Sequence, residues 1–188
     1  MINTLPRNLF ASVYKTGLGY GGVIASEKGL VEVLLPFKGY DREETELCML
    51  ERFFTKLSGN KWSDIAASEL EKYFNGERLK FSAPIDFSNY TSFQKEVYCK
   101  VMALGYGEVK SYGEIALIAG RPGAARAVGG VMASNRLPII IPCHRVIASD
   151  GSLRGYTAPG GIDSKKYLLN MEGVIFSGQK KVRLSNKN

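Results

Sequence analysis

The chain's single histidine, His144, directly follows a cysteine, Cys143, and Pro142 and Arg145 bracket the pair. A cysteine attacks as its thiolate, and an adjoining base or positive charge favours that form. The preceding run, PIII, reads as a buried strand and sets the thiol at the rim of a core. Neighbouring residues on extended backbone point to opposite faces, so His144 is expected to reach the sulfur through a water and not by contact. An inert buried cysteine beside a surface histidine accounts for the pair equally well. The other two cysteines, Cys48 and Cys99, lie in amphipathic helical stretches and read as core.

Other chemistries fit less well. Three cysteines and one histidine make a tetrahedral metal site only if all four converge, and no close CxxC pair starts one. The Gly-rich GLGYGG lacks the Lys-Ser/Thr of a phosphate loop and reads as a hairpin turn. An odd, scattered set of three cysteines also argues against a disulfide framework and for a reducing, cytoplasmic setting. The N-terminus carries no signal-peptide pattern, and no apolar run is long enough to cross a bilayer.

The elements that must position Cys143 fall into two halves, divided by an extended stretch over 79–90 that contains Pro84. In residues 1–85, segment 10–37 reads as strands joined by the GLGYGG and EKG turns. Segment 41–58 puts Leu47, Leu50, Phe54 and Leu57 on one helical face, and 63–75 forms a second helix ending at Gly76. In residues 86–188, TSFQ and SYGE are capping boxes that open two helices. Pro122 suits the first turn of a third helix, GAARAVGGVMAS, with Asn135 as its left-handed cap. The second and third of these form a helix-turn-helix candidate, and a final helix runs from about Asp163 to Met171. Charge follows the same division. Residues 1–85 hold 11 basic and 11 acidic side chains, whereas 86–188 hold 14 basic and 7 acidic, which is the whole net charge of +7. A polyanion partner for the basic half and a merely basic solvated surface account for this equally well.

The string IPCHRV, preceded by AARAVGGVMASNRLPII and followed by GY…GG…KKYLLNMEG, resembles the O6-alkylguanine-DNA alkyltransferase family from about Phe93 to Gly173, and more weakly upstream through LEKYFNGE. The resemblance implies an α+β fold. A small antiparallel-sheet and helix domain, ribonuclease H-like, would span 1–85, and a mostly helical, winged-helix-like domain with the helix-turn-helix would span 86–188. It implies direct DNA repair without cofactor or metal, in which O6-alkylguanine, and O4-alkylthymine with it, is flipped from duplex DNA. The alkyl group then passes irreversibly to Cys143, once per molecule.

Position by position, the resemblance gives Cys143 the acceptor role, His144 the base acting through a water, and Glu172 the support of that imidazole. Tyr112 would rotate the nucleotide out and bond the flipped guanine, Arg126 would fill the vacancy in the stack, and Asn135 would be the hinge between recognition helix and active-site strand. It further implies DNA contacts at Ala125, Gly129, Gly130 and Arg145, a pocket lined by Met132, Val146 and Tyr156, and a monomer with cooperative loading on DNA left open. The loop Gly155–Gly161 departs from the pattern by two extra residues, and the zinc ligands of some animal members have no counterpart. A binding-only protein would lack the acceptor cysteine. A winged-helix regulator leaves Cys143, His144 and Glu172 idle, and a cysteine hydrolase leaves the DNA-reading helix idle.

Overall fold

The computed structural model describes residues 8–36, 41–53, 58–178 and 181–182, which form two compact units divided between Asn89 and Tyr90. In the first unit, β1 (Phe10–Thr16), β2 (Gly19–Ser26) and β3 (Gly29–Leu34) make an antiparallel meander in that order. Helices α1 (Arg42–Phe53) and α2 (Lys61–Phe74) complete it. The period-2 alternation of a strand sends successive side chains to opposite faces. Ala11 and Val13 accordingly join Ile24, Val31, Met49 and Phe53 in one cluster. On the other face, Ser12 bonds Ser63 of α2 and Tyr14 stacks with Phe74 at 6.2 Å between centroids.

The glycines of GLGYGG do more than turn the chain. Only Gly17 and Leu18 lie between the strands, and Gly21 and Gly22 sit inside β2 opposite Tyr14 and Val13. A Cβ on Gly21 would meet the Tyr14 ring at 2.3 Å and the Leu34 carbonyl oxygen at 2.7 Å, and one on Gly22 would meet the Met49 sulfur at 2.4 Å. The bare backbone therefore lets a helix and an aromatic ring press onto the strand.

Several sequence expectations change here. The buried face of α1 is Thr45, Met49 and Phe53, while Leu47 is exposed and Leu50 half-buried; Phe54 and Leu57 lie outside the described residues. Helix α2 starts two residues early, because Asn60 caps it by accepting from the Trp62 and Ser63 amides. The first unit also runs past residue 85. Leu30 donates its amide to Pro84 and accepts from Asp86, which adds the chain alongside β3.

The second unit holds α3 (Ser92–Met102), β4 (Lys110–Ser111), α4 (Tyr112–Ile118), α5 (Ala125–Ala133), a one-turn 3-10 helix (Cys143–Arg145), β5 (Val146–Ile147), α6 (Gly161–Met171), β6 (Phe176–Gly178) and β7 (Lys181–Val182). Both expected capping boxes are present, Thr91 with Gln94 and Ser111 with Glu114. Helices α4 and α5 pack on α3 through Val97, Tyr98, Val101, Ile115, Ala116, Val128 and Val131, all buried. Cys99 faces away from that core and is exposed, and Cys48 is half-buried, so neither is the core residue expected. Pro122 lies in the turn before α5, not in its first turn.

The packing at Gly21 has a direct test. Gly21→Ala is expected to cost about 1–3 kcal/mol through overpacking. Gly17→Ala, where a Cβ meets nothing within 4 Å, should shift the urea midpoint far less.

Candidate active site

The expected strand PIII is instead a tight buried loop. Ile141 donates its amide to Leu137 O at 2.8 Å, Cys143 donates to Ile141 O at 2.7 Å, and Ile139 sits at φ 73°. A β-branched residue in the left-handed region costs on the order of 1–3 kcal/mol and persists only when its surroundings fix it. Two things fix it here. Ile139 is buried, and Asn135 staples the loop by accepting from the Leu137 amide and donating Nδ2 to Ile141 O at 2.9 Å. Asn135 is thus not a left-handed cap, since Ile139 is the one non-glycine at positive φ among the described residues.

The same Asn135 amide donates to Cys143 Sγ at 3.1 Å. Cys143 opens the 3-10 turn and is buried, so the thiol lies inside the core surface and the backbone around it is not extended. Burial pushes its pKa up, against the downward pull of the Asn135 bond and the Lys165 charge. The resting group is therefore the neutral thiol.

His144 is fully buried, and burial lowers its pKa despite the opposing pull of Glu172, so the resting ring is neutral. Its Nε2 lies 2.9 Å from Glu172 Oε1. A carboxylate only accepts, so Nε2 carries the hydrogen and Nδ1 keeps its lone pair. Nδ1 is buried with no hydrogen-bond partner among the described residues, the state a general base requires.

Glu172 follows the end of α6 and gathers four donors: His144 Nε2, Arg145 Nε at 2.8 Å, Arg145 Nη2 at 2.7 Å and the Gly107 amide at 3.0 Å. Burial alone would raise its pKa, but the hydrogen bonds and charges of His144 and Arg145 hold the carboxyl well below the usual range. Arg145 also donates Nη1 to Leu104 O at 2.7 Å and is buried. The expectation that Arg145 contacts DNA is corrected by this placement, because its guanidinium is spent inside the protein.

The remaining site residues divide by exposure. Tyr112, the first residue of α4, is half-buried and donates its hydroxyl to Arg154 O at 3.1 Å. Arg126 and Gly130 are exposed on α5, with Ala125 and Gly129 half-buried, and a Cβ on either glycine would meet nothing within 4 Å. Close helix packing therefore does not explain this costly glycine pair. Met132 and Val146 are buried and Tyr156 half-buried. The longer loop is tied to α5 by Thr157 Oγ1, which donates to Ala133 O at 3.1 Å.

Sequence reasoning missed Lys165, which is fully buried and donates Nζ to Val146 O at 2.6 Å and Arg154 O at 3.3 Å. The available signal was its spacing of three and four from Leu168 and Leu169 on the buried face of α6.

The chain is similar to known proteins over both of its units. Residues 9–87 match the model for the 6-O-methylguanine DNA methyltransferase ribonuclease-like domain, and residues 92–174 match its DNA binding domain. A methylated-DNA–protein-cysteine methyltransferase of Mycobacterium tuberculosis is 41% identical over 144 residues, covering 73% of this chain and 85% of that protein. One from Methanosarcina barkeri is 38% identical over 168 residues, covering 87% and 97%. The crystal structure of the M. tuberculosis O6-methylguanine methyltransferase superposes with a TM-score of 0.67 at 33% identity, covering 87% of this chain and 92% of that one. A structure of the M. tuberculosis protein in complex with DNA gives 0.70 at 33%, covering 87% and 93%. The chain belongs to the 6-O-methylguanine DNA methyltransferase family, with both of its domains.

Two outcomes follow from the buried cluster. Arg145→Met strands the Glu172 carboxylate and should cost about 3–5 kcal/mol in chemical denaturation, whereas Arg126→Ala should leave the unfolding midpoint nearly unchanged. Because His144 resists protonation when folded, unfolded chains take up the proton first as pH falls below about 6.5. The thermal midpoint should therefore drop from pH 7 to pH 5, and drop less in His144→Asn.

Proposed function

We propose that this chain repairs DNA by moving an alkyl group from the O6 of guanine to Cys143, once per molecule. The observation that carries the reading is the buried cluster in which Asn135 donates to the Cys143 thiol and the adjoining His144 is held by Glu172 with Nδ1 unbonded among the described residues, in the same unit as the helix-turn-helix. In this reading His144 Nδ1 takes the thiol proton through a water. The thiolate attacks the alkyl carbon, an S–C bond forms and the C–O bond breaks, and the electron pair leaves with the guanine oxygen. The guanine regains a proton, so the net change is the thiol hydrogen exchanged for the alkyl group. A thioether has no easy hydrolytic exit, which makes the event stoichiometric.

A base inside the stack is out of reach of Cys143, so the nucleotide has to be turned out at a cost of a few kcal/mol. Exposed Arg126 is suited to enter the gap, and Tyr112 to press on the backbone and then bond the base, exchanging its Arg154 partner. The bare surface at Gly129 and Gly130, with Ala125 beside it, suits close approach of the DNA backbone. Met132, Val146 and Tyr156 wall the alkyl group, and O4-alkylthymine enters by the same displacement. Glu172 and Arg145 position His144, and the protein works as a monomer on double-stranded DNA in the cytoplasm. The first unit gives structural support.

The test is incubation with a duplex oligonucleotide bearing O6-methylguanine, followed by peptide mass spectrometry. One methyl group is expected on Cys143. Cys143→Ser should bind the duplex and transfer nothing, and Arg126→Ala should lose rate on duplex more than on single-stranded substrate. Methyl loss from DNA with Cys143 blocked overturns the proposal.

A further inference from the structure

Helix α5 ends on a hydroxyl supplied by another helix. The last carbonyls of a helix run out of amide partners, and the regular donor to Val131 O would be the Asn135 amide. That amide bonds Met132 O instead, at 3.2 Å. Val131 O is filled from α3, where the fully buried Tyr98 donates its hydroxyl at 2.8 Å. The Ser134 amide and hydroxyl add longer bonds to the same oxygen, at 3.2 and 3.0 Å. Gln94, one turn before Tyr98, donates Nε2 to the Ser134 hydroxyl at 3.3 Å. Their spacing puts both donors on one face of α3. A phenylalanine would fill the same space beside Tyr90, whose ring meets that of Tyr98 edge-on at 5.5 Å, and would leave no buried hydroxyl to satisfy.

We propose that Tyr98 is a positioning residue for alkyl transfer: its hydroxyl takes the place of the Asn135 amide at Val131 O, so the chain leaves α5 at Ser134 and the Asn135 side chain is set on the Cys143 sulfur. This rests on the alkyl-transfer reading of the same site. With the hydroxyl gone, the regular donor for Val131 O is again the Asn135 amide, which extends the helix and draws Nδ2 off Sγ and Ile141 O. The Nδ2 bond to the sulfur favours the thiolate. Its loss therefore raises the pH at which the cysteine ionises. The titratable groups around the sulfur are His144 beside it, Lys165 of α6, Tyr112 at the head of α4 and Tyr98 itself. Burial pushes the Tyr98 pKa up, so its hydroxyl remains a donor at neutral pH.

Tyr98→Phe removes the hydroxyl alone. The experiment follows two readouts against pH in the unsubstituted protein, Tyr98→Phe, Asn135→Ala and the double variant. One is alkylation of Cys143 by iodoacetamide without DNA, located by peptide mass spectrometry. The other is single-turnover methyl transfer from an O6-methylguanine duplex. Tyr98→Phe should raise the pH of half-maximal thiol reactivity by about half a unit. It should slow transfer about threefold at pH 7 and approach the parent rate at high pH. Asn135→Ala should raise the midpoint by about one unit, and adding Tyr98→Phe to it should change nothing more. An unchanged midpoint in Tyr98→Phe, or an equal shift with Asn135 already removed, overturns the proposal. A merely structural loss lowers the rate at every pH alike and does not depend on Asn135.

If Asn135→Ala does not fold, the Asn135 side-chain amide is followed directly by 15N NMR. Its Nδ2 hydrogens should exchange with solvent faster in Tyr98→Phe than in the parent, and equal rates overturn the proposal. Failure of the alkyl-transfer reading would appear separately, as no methyl on Cys143 of the unsubstituted protein.

Discussion

The Glu172 carboxylate is the point from which the second unit is organised. It draws together the loop at Gly107, the turn carrying His144 and Arg145, and the end of α6. A charge buried this deeply is tolerable because four donors replace the water it has lost. One consequence is tautomeric: with Oε1 accepting from Nε2, the histidine lone pair is at Nδ1. A second is spatial. Arg145 holds the carboxylate in a bidentate grip and anchors itself on Leu104 O, so the imidazole has a fixed rather than a flexible support.

The cysteine is governed by a balance of opposing forces. Burial keeps the resting thiol neutral. Asn135 and Lys165 act the other way, so ionisation is suppressed without being forbidden. Asn135 also holds the loop that forces Ile139 into left-handed backbone. The same amide group thereby couples the sulfur's surroundings to a strained main-chain turn.

Much of this was legible in the chain because it is local. Capping boxes at Thr91 and Ser111 and the Cys143–His144 pair depend on neighbours a few residues apart. What escaped depends on distant partners. PIII has the composition of a strand, yet Asn135 and Leu137 fold it into a turn. Arg145 looks like a surface charge until Glu172, 27 residues later, is placed beside it. Cys99 and Leu47 lie on faces whose exposure only the packing of α3 and α1 decides. Lys165 resembles any lysine of an amphipathic helix, and its burial is fixed by carbonyls of two other segments.

Helix α5, the second helix of the helix-turn-helix, reads ARAVGGVMA. Arg126 is its one side chain with hydrogen-bonding groups. Reading a base edge needs donors and acceptors that match it, and alanine, valine and glycine bring none. A helix so poor in such groups can follow the shape of a duplex but spells out almost no preferred letters. Indifference to neighbouring sequence is therefore built into it, as befits a protein whose targets arise wherever chemical damage happens to fall.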